Sequence, residues 1–127
     1  MLRMNNASAI EQPTPGAGHG APGRALSEEQ IQASVEGLAM LAEPTRLRLL
    51  WALRGAELGV TALAQAAGCT PTVASQHLSK LRIGGLVQQR AVGRERIYRL
   101  RGEHLDRLLD EAVAYGEHAA PGHAQPA

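Results

Sequence analysis

The chain of 127 residues has no phenylalanine, one tryptophan and one cysteine. Without large aromatics, a core must be assembled from Leu, Val, Ile and Ala, which suits packed helices. A lone thiol, Cys69, excludes an intrachain disulfide and fits a reducing compartment. No run is apolar and long enough to span a bilayer. The first residues, MLRMNNASAI, lack the continuous apolar stretch of a secretory signal. These absences point to a soluble, cytoplasmic protein with no membrane partner. No nucleophile–base set, phosphate loop or cofactor motif is visible either, so the sequence does not read as an enzyme.

What is present is uneven charge. The net value is only +1, but residues 71–101 carry seven basic side chains (Lys80, Arg82, Arg90, Arg94, Arg96, Arg99 and Arg101) against one acid, Glu95. Beyond Gly102 the balance reverses, with five acids (Glu103, Asp106, Asp110, Glu111 and Glu117) against Arg107. A basic block followed by an acidic one suggests two surfaces with different tasks.

The length suits one domain. Residues 1–26 are rich in Pro, Gly and Ala without periodicity and read as a flexible arm. An ordered domain is expected over 27–118 and a frayed tail over 119–127. Ser27 and Gln30 fit a capping box opening the first helix, along which Ile31, Val35, Leu38, Ala39 and Ala42 recur at helical spacing. Pro44 suits the first turn of a second helix with Leu47, Leu50 and Trp51 on one face. A short third helix carries Val60, Leu63, Ala64 and Ala67 and stops at Gly68.

The following segment carries the most information. Thr70 and Pro71 are a good N-cap and first residue for a helix running to about Ile83. Ala74, His77, Leu78 and Leu81 form an apolar stripe; Thr72, Ser75, Gln76 and Ser79 form a polar one free of carboxylates. Short hydrogen-bonding side chains opposite an apolar face suit a helix lying in a major groove, where Gln can bond adenine twice and Ser or Thr can reach bases or phosphates. The bland alternative is an ordinary solvated face. A short helix and a three-residue turn immediately upstream favour DNA recognition over it. Lys80 extends the same surface. Leu86–Ala91 and Arg96–Leu100 read as a hairpin around Gly93, whose tip gathers Arg90, Arg94 and Arg96 as a wing would for phosphates or a minor groove. A final helix runs from about Glu103 to His118, with Leu105, Leu108, Leu109, Ala112 and Gly116 at helical spacing. His77, on an apolar stripe, reads as a packed, hydrogen-bonded histidine rather than a catalytic base.

This layout is mainly helical with a small β-hairpin, and it resembles the winged helix-turn-helix repressors of the ArsR/SmtB family. LAEPTRLRLLWAL (41–53) resembles that family's second helix, TPTVASQHLSKLRIGGLV (70–87) its recognition helix, and GRERIYRL (93–100) its wing. The resemblance covers roughly residues 30–118. It implies a homodimeric transcriptional repressor whose first and last helices pair across a two-fold axis. Such a dimer would bind an imperfect palindrome in double-stranded DNA and release it on sensing a signal. Matching positions put DNA contacts at Thr72, Ser75 and Gln76.

The signal is narrowed by which sensor motifs are kept. Arsenic and cadmium sensors of the family carry a Cys-x-Cys-type motif on the third helix. Here ELGVTALA (57–64) has no cysteine, and Cys69 reads as a small filler. The family's zinc pattern on the last helix keeps its first and last histidines, as His104 and His118, but has Gly102 and Tyr115 where its Asp and another His would stand. The remaining EH…EH pattern resembles the nickel- and cobalt-sensing members. That implies His104, Glu117 and His118 as ligands, with His123 the nearest equivalent of their tail histidines. The expected regulatory ligand is therefore Ni(II) or Co(II), with Zn(II) or a non-metal signal as the alternative. Geometry adds a constraint. His104 and His118 are fourteen residues apart, about 21 Å on one helix at ~1.5 Å per residue, so they cannot share an ion within a chain. They project from nearly the same face, so two antiparallel helices would bring His104 of one chain beside His118 of the other.

Overall fold

The computed structural model describes residues 23–122. Most of the expected arm and the tail histidine His123 lie outside the described residues. The chain divides into two compact units between Glu36 and Gly37, within the first helix, α1 (Glu28–Leu41). In the first unit the capping box forms as its residues dictate: Ser27 Oγ accepts from the Gln30 amide at 3.0 Å, and Gln30 Oε1 accepts from the Ser27 amide at 2.9 Å. Two of the amides that a helix start leaves without partners are thereby satisfied. Ile31 and Val35, the expected apolar positions, are both exposed, Val35 at 58%.

The second unit begins with the end of α1 and continues through α2 (Pro44–Ala52), β1 (Leu58–Gly59), α3 (Val60–Ala67), α4 (Pro71–Ile83), β2 (Val87–Val92), β3 (Glu95–Leu100) and α5 (Glu103–Ala119). Glu43 caps α2 by accepting from the Arg46 amide at 2.7 Å, with Pro44 at the first helical position. Gly68 closes α3 in the left-handed conformation, at φ 70°. Thr70 Oγ1 then caps α4 by accepting from the Val73 amide at 3.1 Å. A helix, a glycine-bearing turn and a capped second helix make the helix-turn-helix unit.

The core is aliphatic, as the lack of phenylalanine requires. Leu49, Leu50, Leu53, Leu63, Leu78, Leu81, Leu109 and Val87 are fully buried. Trp51 is not among them. The spacing expects it on the inward face of α2 with Leu47 and Leu50, but it is 40% exposed and Leu49 takes the core position. Four large apolar residues in five positions leave periodicity ambiguous, and the indole goes to the rim. There the Arg54 guanidinium stacks 4.4 Å from its ring centre. Arg54 also forms an ion pair with Asp110, linking the end of α2 to α5.

The sheet has one strand more than the expected hairpin. β1, β3 and β2 lie in that order, all antiparallel, with Leu58 opposite Tyr98 and Gly59 opposite Ile97. The β2–β3 ladder pairs Val87 with Leu100 through to Val92 with Glu95, leaving Gly93 and Arg94 as a two-residue turn. A left-handed Gly93, at φ 63°, in the first turn position suits the tight turns that match strand twist.

Candidate nucleic-acid interface

α4 presents the two faces that its sequence encodes. Ala74, Leu78 and Leu81 are fully buried, whereas Thr72, Ser75, Gln76 and Ser79 are exposed. These four line an open groove with Val60 and Pro71, and no carboxylate enters it. The groove can therefore donate and accept hydrogen bonds without repelling phosphates. Lys80 and Arg82 occupy the last turn of the helix.

Strand parity sorts the wing arginines. Side chains alternate across a sheet, and the register pairs Ala91 with Arg96 and Gln89 with Tyr98. Arg96, Tyr98 and Gln89 thus share the face that meets α4, and they line a recess there together with Ser75, Ser79 and Arg82. Arg90, opposite Ile97, and Arg99, opposite Gln88, lie on the other face. Arg90 donates to Glu57 Oε1 from Nη2 at 2.7 Å and from Nε at 3.2 Å. The hydrogen bonds from Arg90, and then its charge, hold the Glu57 carboxyl below its ordinary range. Arg94 sits at the turn. The basic residues expected at one tip therefore occupy three settings: Arg96 toward α4, Arg94 at the end, and Arg90 partnered on the opposite face. Glu57 carries no local sequence signal, because it meets Arg90 across 33 positions.

Behind the exposed face, α4 is tied to its supports through His77. The Arg46 guanidinium lies 3.5 Å from His77 Nδ1, and Glu43 Oε1 lies 4.0 Å from Nε2. Arg46 also donates from Nε to the Met40 carbonyl at 2.9 Å and from Nη2 to that of Ala39 at 3.4 Å. One side chain thus caps the end of α1 and touches the recognition helix. Glu43 is held below its ordinary carboxyl range, chiefly by the Arg46 amide. His77 is a packed histidine, in accord with its place on the apolar stripe.

α5 carries the histidines singled out as metal ligands. His104 is exposed in the first turn, where Arg107 Nη2 lies 3.1 Å from its Nδ1. A guanidinium can only donate, so the contact is a hydrogen bond when Nδ1 is unprotonated. A metal ion bound to this ring would have to displace Arg107 from Nδ1. Arg107 is mostly exposed and also bonds Glu103 at 3.3 Å. Glu117 and His118 are exposed in the last turn of the same helix. Among the described residues no three metal-binding side chains come together.

Comparison with known proteins bears on this geometry. A helix-turn-helix domain model matches residues 41–90. The transcriptional regulator KmtR of Mycobacterium tuberculosis is 42% identical over 97 residues, spanning 76% of this chain and 75% of that protein. The regulator NmtR of the same organism is 42% identical over 106 residues, spanning 80% and 88%. The homodimeric winged helix-turn-helix DNA-binding domain of Mb0332 from Mycobacterium bovis, a possible ArsR-family regulator, superposes with a TM-score of 0.63. It has 31% identity and covers 80% of this chain and 98% of that one. The chain belongs to the ArsR/SmtB family. The antimony-specific transcriptional repressor AntR is a further neighbour, at a TM-score of 0.71 and 30% identity over 84% of this chain and 97% of that one. As an ArsR/SmtB protein the chain is a DNA-binding transcriptional regulator, not an enzyme. In that light α3–turn–α4 is its helix-turn-helix and β2–β3 its wing. No helix of the described residues is long and apolar enough to cross a membrane.

Proposed function

We propose that this regulator is a cytoplasmic homodimeric repressor that binds a palindromic operator and releases it on binding nickel or cobalt. The observation that carries DNA reading is the carboxylate-free groove lined by Thr72, Ser75, Gln76 and Ser79, with Lys80 in the last turn of the same helix and Arg96 in the adjoining recess. Gln76 is the side chain suited to a bidentate contact with adenine. Arg90 joins the phosphate contacts where DNA draws it from Glu57.

Dimerisation is supported by apolar side chains that a monomer leaves in water. Ile31, Val35 and Leu38 on α1 and Leu108 and Tyr115 on α5 are exposed, Tyr115 at 75%. Solvent-facing stripes on helices of this kind mark association surfaces. The homodimeric Mb0332 domain supplies the precedent.

The donor set argues for the metal. AntR answers to antimony, a soft element that calls for thiolates. This chain has a single cysteine, so a thiolate cluster within one chain is excluded. Imidazole and carboxylate from His104, Glu117 and His118 suit Ni(II), Co(II) or Zn(II), and the likeness of the EH…EH pattern to the nickel- and cobalt-sensing members favours the first two. His123 supplies a further nitrogen if the tail reaches the site. Two antiparallel α5 helices would bring His104 of one protomer to Glu117 and His118 of the other. The bound ion then favours a dimer whose recognition helices are wrongly spaced, and the regulatory energy is the difference in metal affinity between the two arrangements. To test this, a duplex selected from a random library is titrated with the protein, with and without Ni(II), Co(II) or Zn(II). Release by nickel and cobalt at lower concentrations than zinc is expected; unchanged affinity with every metal refutes metal control.

A further inference from the structure

The recess between α4 and the wing adjoins the base-reading groove and shares Val60, Ser75 and Ser79 with it. We propose that it seats one backbone phosphate of the duplex, gripped by Arg82 and Arg96 with Ser79 and Gln89 as neutral donors. The proposal rests on the DNA-binding reading above and assigns Arg82 and Gln89 a role in it.

The lining is that of an anion seat. Its lining residues carry two guanidiniums, three hydroxyls and an amide, and no carboxylate. Among the described residues the ion pairs engage Arg54, His77, Arg90 and Arg107, so neither Arg82 nor Arg96 is committed to a protein acid. Tyr98, only 6% exposed, and Val60 complete the lining, and hydrogen bonds from ionised donors to an anion are the stronger kind. The two cations reach the recess by different routes. Arg82 follows Ser79 by three residues on α4, on the neighbouring turn. Arg96 arrives from β3, on the sheet face opposite to Arg90 and Arg99. A strand whose bases are read by Ser75 and Gln76 carries its phosphates past the edge of the groove, and the recess opens at that edge.

Arg82 has a competing role, because a cation in the last turn complements the carbonyl end of a helix. That role would appear in thermal stability and not in the ionic-strength dependence of DNA binding. The test therefore measures affinity of the full chain for a mixed-sequence duplex by fluorescence anisotropy across a series of KCl concentrations. Each phosphate that the protein no longer neutralises lowers the slope of log K against log[KCl] by about 0.9. Arg82→Gln leaves Arg96 on the shared phosphate, so it is expected to weaken binding with most of the slope kept, and Arg82→Lys to restore the affinity. The Arg82→Gln/Arg96→Gln double variant should lower the slope by about 0.9 per protomer, one shared phosphate, rather than about 1.8. Gln89→Ala should weaken binding with the slope intact, because it removes a neutral donor. A wild-type slope in the Arg82→Gln/Arg96→Gln double variant, with Arg94→Ala still weakening binding, overturns the seat and leaves the DNA-binding reading standing. A drop of about 1.8 per protomer in the double variant shows two separate phosphates and also overturns it. Failure of the wild-type chain to bind any duplex overturns both.

Discussion

A metal site shared between protomers makes a quantitative prediction about mixed dimers. His104 and His118 stand at opposite ends of α5, which runs Glu103–Ala119, about 21 Å apart along the helix axis. A metal–nitrogen bond spans about 2 Å, so one ion cannot touch both within a chain. In the proposed two-fold dimer each site would instead take His104 from one protomer and His118 from the other, giving two such sites. His104→Ala homodimers lose both, as do His118→Ala homodimers. In a heterodimer of the two variants, both lesions fall in one site and the other site is intact. Equal mixing with free exchange makes half of the dimers heterodimeric, each with one site of two. The mixture should therefore recover about one quarter of wild-type metal capacity, and a purified, differently tagged heterodimer about one half. Cobalt absorption, titrated to saturation, reads the capacity directly, and native mass spectrometry reports the stoichiometry. A mixture that recovers nothing above the two separate variants refutes the crossed arrangement. So does normal cobalt binding by either homodimeric variant.

Other expectations follow from single contacts. Gln76→Ala should cost about 1–3 kcal/mol on the selected duplex and relax base preference at one position per half-site, as measured by binding to a panel of single-base variants. Cys69→Ser should retain DNA binding and metal response in the same anisotropy assay, because Cys69 lies in the turn with no second thiol in the chain. Leu78→Ala, at a fully buried position in α4, should lower unfolding free energy by about 2–5 kcal/mol in urea titrations monitored by circular dichroism. The Glu57 carboxyl is held below its ordinary range by Arg90. The pair's contribution to stability is therefore complete above the unfolded carboxyl range, near pH 4.3, and is lost as pH falls through the lowered folded value. Glu57→Gln should flatten that acid limb of the urea midpoint, and identical pH profiles would show that the pair does not form in solution.

How much of this molecule can be read from its sequence depends on how local each decision is. The capping residues Ser27, Gln30 and Thr70, the helix-closing Gly68 and the two faces of α4 are set within a turn or two of chain, and all of them are legible. β1 is not, because two residues carry no period and Leu58 is a strand only through its pairing with Tyr98, forty positions away. Trp51 misleads because α2 has more apolar residues than its inward face can take. The wing lies between these cases. Its arginines read as one basic tip, yet a two-residue turn at Gly93–Arg94 fixes the register, and the register fixes which face each side chain takes. Counting outward from that turn puts Arg96 with Gln89 and Tyr98, and Arg90 on the reverse with Arg99. The signal is therefore present as parity, whereas the carboxylate that holds Arg90 is not. The proposed metal ligands mark the other limit. A site divided between two protomers leaves no cluster in either one, so neither a cysteine–histidine motif nor a three-ligand pocket is to be expected within a single chain. What the sequence can offer is the pair of facts found here: two histidines on nearly the same helix face, and too far apart to meet.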